Sequence, residues 1–159
     1  MSSEQLISHL NTLGTIIAMA TGIAGFILGW FGFKASKLSA MTEFFLRGDS
    51  EEIADAKNYV FAKAENSETF DATDKLASRV ASHYEFWGKM QKLGYLPLNT
   101  FEGASGITMI NLYTILYPFI EKRRRGEDKG GIKNLLYAKN FENLKGTVER
   151  KYKYKQTVY

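Results

Sequence analysis

Hydrophobic positions along this chain follow two different rules. From Leu10 to Phe33 there are 24 consecutive residues without a formal charge, whereas beyond Lys34 apolar residues recur at helical spacing among charged ones. At about 1.5 Å per helical residue the uncharged run reaches roughly 36 Å, enough to cross a bilayer core of about 30 Å. Its threonines, Thr12, Thr15 and Thr21, can bond their hydroxyls to carbonyls one turn back. A cleaved signal peptide is a competing reading, but it wants a basic leading segment, and residues 1–9 carry only Glu4. A buried helix of a soluble core is the other alternative, although such cores rarely need so long an uncharged run. The pattern predicts a transmembrane helix over 10–33, preceded by a short extracytoplasmic N-terminus, 1–9.

Small residues inside the run are arranged on one side. Gly14, Ala18, Gly22, Gly25, Gly29, Gly32 and Ser36 follow one another at intervals of three or four, and Gly25 with Gly29 forms a GxxxG pair. Helices in lipid gain nothing from hiding apolar surface, so a seam that lets backbones approach closely supplies the packing. The seam predicts a homo-oligomer, either a dimer or a ring that encloses a pore. Ile16, Ile23 and Ile27 fall largely elsewhere and suit lipid. Trp30, Phe31 and Phe33 stand where an aromatic belt is expected, and Lys34, Lys37 and Arg47 follow. The positive-inside rule then puts the N-terminus outside and residues 34–159 in the cytoplasm.

The remainder reads as helices. Residues 34–48 continue the span as a juxtamembrane helix with Leu38, Met41, Phe44 and Phe45 apolar and Gly48 as its stop. Asp49 with Glu52 forms a capping-box pattern ahead of Ile53, Ala56, Val60 and Ala64. A helix from about Asp71 to Leu93 carries Leu76, Val80, Tyr84, Trp87 and Met90 on one face. Asn99 with Glu102 suggests another capping box, before a helix from about Gly106 to Arg125 that Pro118 should kink or split. The last helix, about Ile132 to Lys153, aligns Tyr137, Phe141, Leu144 and Val148. No segment alternates in the manner of a strand. The fold class expected is all-α: a transmembrane helix, then a cytoplasmic helical bundle over 49–153 and a tail, 154–159.

Composition narrows the chemistry. The 159 residues include no cysteine and two histidines, His9 and His83, which excludes disulfides, thiolate metal sites and a cysteine nucleophile. No metal site and no cofactor is expected. The net charge is +4, but all 21 Lys and Arg lie at or beyond Lys34.

Several short motifs carry a resemblance. Val80, Tyr84-Glu85, Gly88 and Gly94-Tyr95-Leu96, followed by Tyr117-Pro118-Phe119-Ile120 and Phe141-Glu142-Asn143-Leu144, with Ala56-Lys57-Asn58-Tyr59-Val60 upstream, resemble a bacterial family of small, uncharacterised helical proteins. Those proteins have one N-terminal membrane helix and a cytoplasmic domain, and the resemblance spans roughly residues 10–155. The layout is also similar to membrane accessory proteins of RNA-targeting CRISPR systems, which carry a degenerate HEPN-like helical domain and form pores in antiviral defence. These resemblances imply the bacterial inner membrane as location. They also imply membrane lipid, further copies of the chain, and RNA or a defence-system protein as partners.

Candidate chemistry is sparse. HEPN ribonucleases pair an Arg with a His across four to six intervening residues; Arg79 and His83 come nearest, with three residues between. That spacing shares a helix face, yet it is one residue short, and His83 reads equally as a half-buried packing residue. No phosphate loop and no nucleophile with its base appears. Asp49, Glu51, Glu52 and Asp55 read as dipole partners at a helix start. The basic features are Lys122-Arg123-Arg124-Arg125, together with Lys151, Lys153 and Lys155 interleaved with Tyr152 and Tyr154. They suit RNA phosphates and stacking, anionic lipid, or only the C-terminal dipole of a helix. The expectation is a non-enzymatic, membrane-anchored oligomeric effector or accessory protein of antiviral defence, which forms a pore. The alternatives are a tethered module that recruits RNA or protein through these basic segments, and an HEPN-like ribonuclease.

Overall fold

The computed structural model describes residues 3–48, 50–127 and 131–153, without the side chains of residues 4, 6 and 8. Among them there is no strand. Five α-helices follow one another: α1 Ser3–Gly48, α2 Glu51–Glu65, α3 Lys75–Lys92, α4 Ala104–Arg124 and α5 Lys139–Tyr152, with a 3-10 turn at Leu98–Phe101. The chain divides into two compact units, Met1–Leu38 and Ser39–Tyr159.

The first unit is helical from Ser3 onward, so the helix starts earlier than the expected span. Thr15 Oγ1 donates to the Asn11 carbonyl at 3.0 Å and Thr21 Oγ1 to the Ile17 carbonyl at 2.9 Å, which spares both hydroxyls an unpaired state. Lys34 Nζ lies 5.4 Å from the Trp30 ring centre and Lys37 Nζ 4.4 Å from that of Phe33.

The second unit has its own core. Phe44, from the last turns of α1, packs edge-on against Trp87 of α3 (5.3 Å between centres) and Phe101 of the 3-10 turn (5.1 Å). Val60 of α2, Val80 and Tyr84 of α3, Leu112, Leu116, Phe119 and Ile120 of α4, and Phe141, Leu144 and Val148 of α5 complete it, all buried. Each large apolar side chain so enclosed contributes about 1.5–3 kcal/mol relative to exposure.

Helix starts depart from the sequence expectation in four places, the first three for a local reason. Helix α3 begins at Lys75 rather than near Asp71, because Asp74 is its cap: Oδ1 accepts from the amides of Leu76 and Ala77 at 3.1 and 3.0 Å. Asp74 Oδ2 also takes the Tyr59 hydroxyl at 2.6 Å, fastening α2 to α3. Asp71 instead closes a turn on the amide and hydroxyl of Thr73. The box expected of Asn99 and Glu102 does not form; Asn99 lies in the 3-10 turn, and α4 starts after Gly103, whose φ of +72° favours glycine. At α2 the N-cap residue is Ser50, whose hydroxyl bonds back to Arg47 and not forward into the helix, and Asp49 lies outside the described residues. Pro118 does not split α4, which stays one element. Pro118 sits on the exposed side, where water can serve the carbonyl it leaves without a donor.

The largest correction concerns α5, which begins at Lys139 and not near Ile132. Its preceding residue, Ala138, is left-handed (φ +54°, ψ 29°) and gives no side-chain cap. The cap comes from α3. Glu85 Oε2 accepts from the amides of Asn140 (2.7 Å) and Phe141 (3.0 Å), and Oε1 accepts from the Asn140 side chain (2.7 Å). Tyr84 stacks on Phe141 at 4.9 Å and 19°. One turn on, a Cβ at Gly88 would run into the Asn140 carbonyl. Thus Glu85→Ala should lower stability by about 1–3 kcal/mol, from the orphaned amides. Gly88→Ala should cost about as much through overpacking. Thermal unfolding of each variant beside the parent checks both.

Candidate functional site

Three features stand out as places where this chain could act: the uncovered surface of α1, a cleft beside His83, and the basic segments.

Helix α1 contains a window of mean hydropathy 1.9, none of which the protein buries, and its length and composition suffice for one membrane span. Ile16, Ile23, Phe26, Leu28 and Phe31 are all more than half exposed. A Cβ built at Gly14, Gly22, Gly25, Gly29 or Gly32 meets no atom within 4 Å. The seam named from the sequence, which Ala18 completes, is therefore open in a single chain.

Arg79 and His83 line a cleft of about 400 Å³ with Arg47, Ser50, Glu52, Ile53, Ser82, Phe86 and Trp87. Arg79 stands on its exposed rim, 3.9 Å from Glu52. His83 turns inward among the rings of Phe44, Tyr84 and Trp87, with centres 5.0–6.3 Å away. Its Nε2 is buried and has no hydrogen-bond partner. Burial, with smaller contributions from the charges of Lys57 and Arg47, lowers the His83 pKa from 6.5 to about 4. The imidazole is therefore neutral near pH 7, and its Nε2 is not offered to a phosphate in the cleft. Among the described residues no cluster of three or more His, Cys, Asp or Glu could hold a metal.

The basic run at the end of α4 is occupied within the fold. Lys122 Nζ donates to the Phe70 carbonyl (2.8 Å) and Arg123 to the Ala72 carbonyl (3.0 Å), which ties the α2–α3 connection to α4. Arg124 is not a surface cation: its side chain is 12% exposed. It donates to the Tyr137 carbonyl (3.0 Å), to Glu121 (3.0 Å) and to Glu142 (2.8 Å), holding the segment ahead of α5. Glu142 is drawn upward by partial burial, but hydrogen bonds from Arg124 and Lys139 hold its carboxyl below the ordinary carboxylate range. Arg125 is open to solvent beside Glu127 (2.9 Å). Lys151 and Lys153 are exposed at the end of α5, and Tyr154 and Lys155 lie outside the described residues. Of the expected basic residues, Arg125, Lys151 and Lys153 are exposed, while Lys122, Arg123 and Arg124 are of intermediate exposure. Nothing in the linear run Lys122–Arg125 distinguishes a solvated cation from one bound to a carbonyl, because the acceptors lie about fifty residues upstream for Lys122 and Arg123 and 13 residues downstream for Arg124.

With this geometry in place, comparison with known proteins adds nothing: no family model, curated protein or solved structure matches the chain.

Arg124→Ala should destabilise the bundle by about 1–3 kcal/mol, since the Tyr137 carbonyl loses its donor and Glu142 keeps only Lys139. Arg124→Lys should not restore the loss, because an ammonium cannot span three acceptors; denaturant titration measures both. For His83, the folded pKa of about 4 lies below the unfolded 6.5. Between those values the unfolded chain takes up a proton that the folded chain refuses. Stability is therefore highest above pH 6.5, declines as pH falls toward 4 by at most about 3 kcal/mol, and levels off below. His83→Phe should flatten that part of the unfolding profile.

Proposed function

We propose that this chain is a non-enzymatic, membrane-anchored protein that self-associates through α1, an effector or accessory of bacterial antiviral defence. The observation that carries the anchoring is the uncovered apolar surface of α1, for which a bilayer is the matching solvent. In this reading the N-terminus is outside, residues 10–33 span the inner membrane, and the bundle faces the cytoplasm, in keeping with Lys34, Lys37 and Arg47 after the span.

The open seam supports self-association: Gly22, Gly25 and Gly29 leave room for a second backbone, and nothing in the single chain uses that room. A ring of such helices would enclose a pore lined by glycine backbone, threonines and apolar groups, which gates by dewetting. The defence role rests on the similar layout of the pore-forming accessory proteins, and the all-helical bundle accords with an HEPN-like domain that has lost its chemistry. The buried Nε2 of His83 and the outward Arg79 favour the absence of ribonuclease action. Recruitment of RNA through Lys122–Arg125 is the weaker reading, since three of the four cations have acceptors inside the fold.

Gly25→Leu with Gly29→Leu tests the assembly. Leucine fits both positions in one chain, so the bundle should keep its unfolding temperature while the detergent-solubilised mass drops to a monomer and ion leakage from loaded vesicles ceases. An unchanged oligomer and unchanged leakage would defeat the proposal.

A further inference from the structure

The segment ahead of α5 presents three aliphatic side chains to solvent: Ile132, Leu135 and Leu136, at 75%, 73% and 73% exposure. Exposed aliphatics in a slack loop would mean little, but this one is fixed from beneath. Asn134 and Tyr137 hold its backbone, through Asn134 N–H to the Arg124 carbonyl (3.2 Å) and Arg124 to the Tyr137 carbonyl (3.0 Å). Asn134 Oδ1 accepts from the Leu136 amide (3.2 Å), and the Tyr137 amide donates to the Asn134 carbonyl (3.0 Å). Tyr137 itself is the inward member, with the Arg123 guanidinium 5.0 Å from its ring centre. At the base Gly126 has φ +77°, and a Cβ there would sit 2.9 Å from the Gly131 carbonyl. Ala138 closes the other end in the left-handed region, a conformation that costs about 1 kcal/mol or more and persists where the surroundings over-determine it. The turn at Asn134 thus pushes Leu135 and Leu136 outward while every neighbouring anchor points in.

We propose that this segment is a membrane-contact loop, which seats Ile132, Leu135 and Leu136 among the acyl chains of an anionic bilayer. It rests on the reading that α1 spans that bilayer, because the span confines the bundle to the membrane's vicinity and makes a small contact sufficient. Charge agrees with the occupant: the exposed Lys133 stands between Ile132 and Leu135, and there is no acidic residue between Asp128 and Glu142. Three side chains cover roughly 300–400 Å², well short of the roughly 800 Å² per partner of a stable protein interface. The patch also lacks the Trp, Tyr or Arg anchors that concentrate energy in protein contacts. Acyl chains need no such complementarity.

The absence of cysteine makes the test direct. Full-length chain carrying Leu135→Cys, and separately Phe26→Cys, is labelled with an environment-sensitive dye. It is then placed in nanodiscs of phosphatidylglycerol and phosphatidylcholine with brominated acyl chains. The proposal expects the Leu135 label to shift to the blue and be quenched by bromine, with the quenching reduced by Lys133→Glu and lost with Ile132→Ser plus Leu136→Ser. A water-like Leu135 label overturns it. So does a blue-shifted label that bromine does not quench, which would mean a protein partner, a second copy included. The Phe26 label reports the span separately. Quenched at Phe26 but not at Leu135, the span stands and the loop contact falls; quenched at Leu135 alone, the loop contact stands without the span.

Discussion

Helix α5 starts without a cap of its own, and Glu85 supplies one from the middle of α3. Three hydrogen bonds converge on that carboxylate, from two amides and one side-chain amide of the first turn. The approach that makes them possible exists because residue 88 has no side chain. Much else follows from this docking. It sets the height at which Phe141 meets Tyr84, and it fixes where the residues ahead of α5 must end. Arg124 then secures the same stretch from the α4 side, through the Tyr137 carbonyl and Glu142. A helix start that lacked these partners would leave orphan donors inside the protein, at a cost comparable to a large share of a small domain's net stability.

The two units of the chain treat their apolar surface differently. In the second, apolar side chains from every helix meet one another, and among the described residues the buried side-chain polar atoms find partners except His83 Nε2 and Thr100 Oγ1. In the first, the apolar window of α1 is not buried, and its glycines leave an open seam. Such a helix is stable where its backbone bonds close internally and its side chains lie in lipid. The seam supports the proposed association, because close backbone approach, and not burial of apolar area, drives packing there.

Helical spacing made most of the architecture legible. The buried positions Val60, Val80, Tyr84, Trp87, Phe141, Leu144 and Val148 all stand on the stripes that periodicity picks out. Helix starts were less legible, since they depend on which carboxylate reaches which amide. Asp74 caps locally and could have been chosen over Asp71, but Glu85 acts across 55 residues and leaves no local trace. The same limit governed the candidate sites. Lys122–Arg125 reads as a surface patch in one dimension, whereas the carbonyls of Phe70, Ala72 and Tyr137 that accept from it come from loops elsewhere in the chain. Ile132, Leu135 and Leu136 fit a helical stripe by spacing, yet the turn at Asn134 faces them outward. The motif residues Tyr84, Glu85, Gly88, Phe119 and Glu142 turn out to be parts that hold helices together.

The central claim is that α1 lies in lipid while the bundle is folded by its own contacts, and alkaline extraction of membranes from cells expressing the full chain tests it most directly. The account predicts that the full chain stays in the membrane pellet, while a chain beginning at Lys34 is released as a folded, helical protein. Release of the full chain into the alkaline supernatant would contradict it.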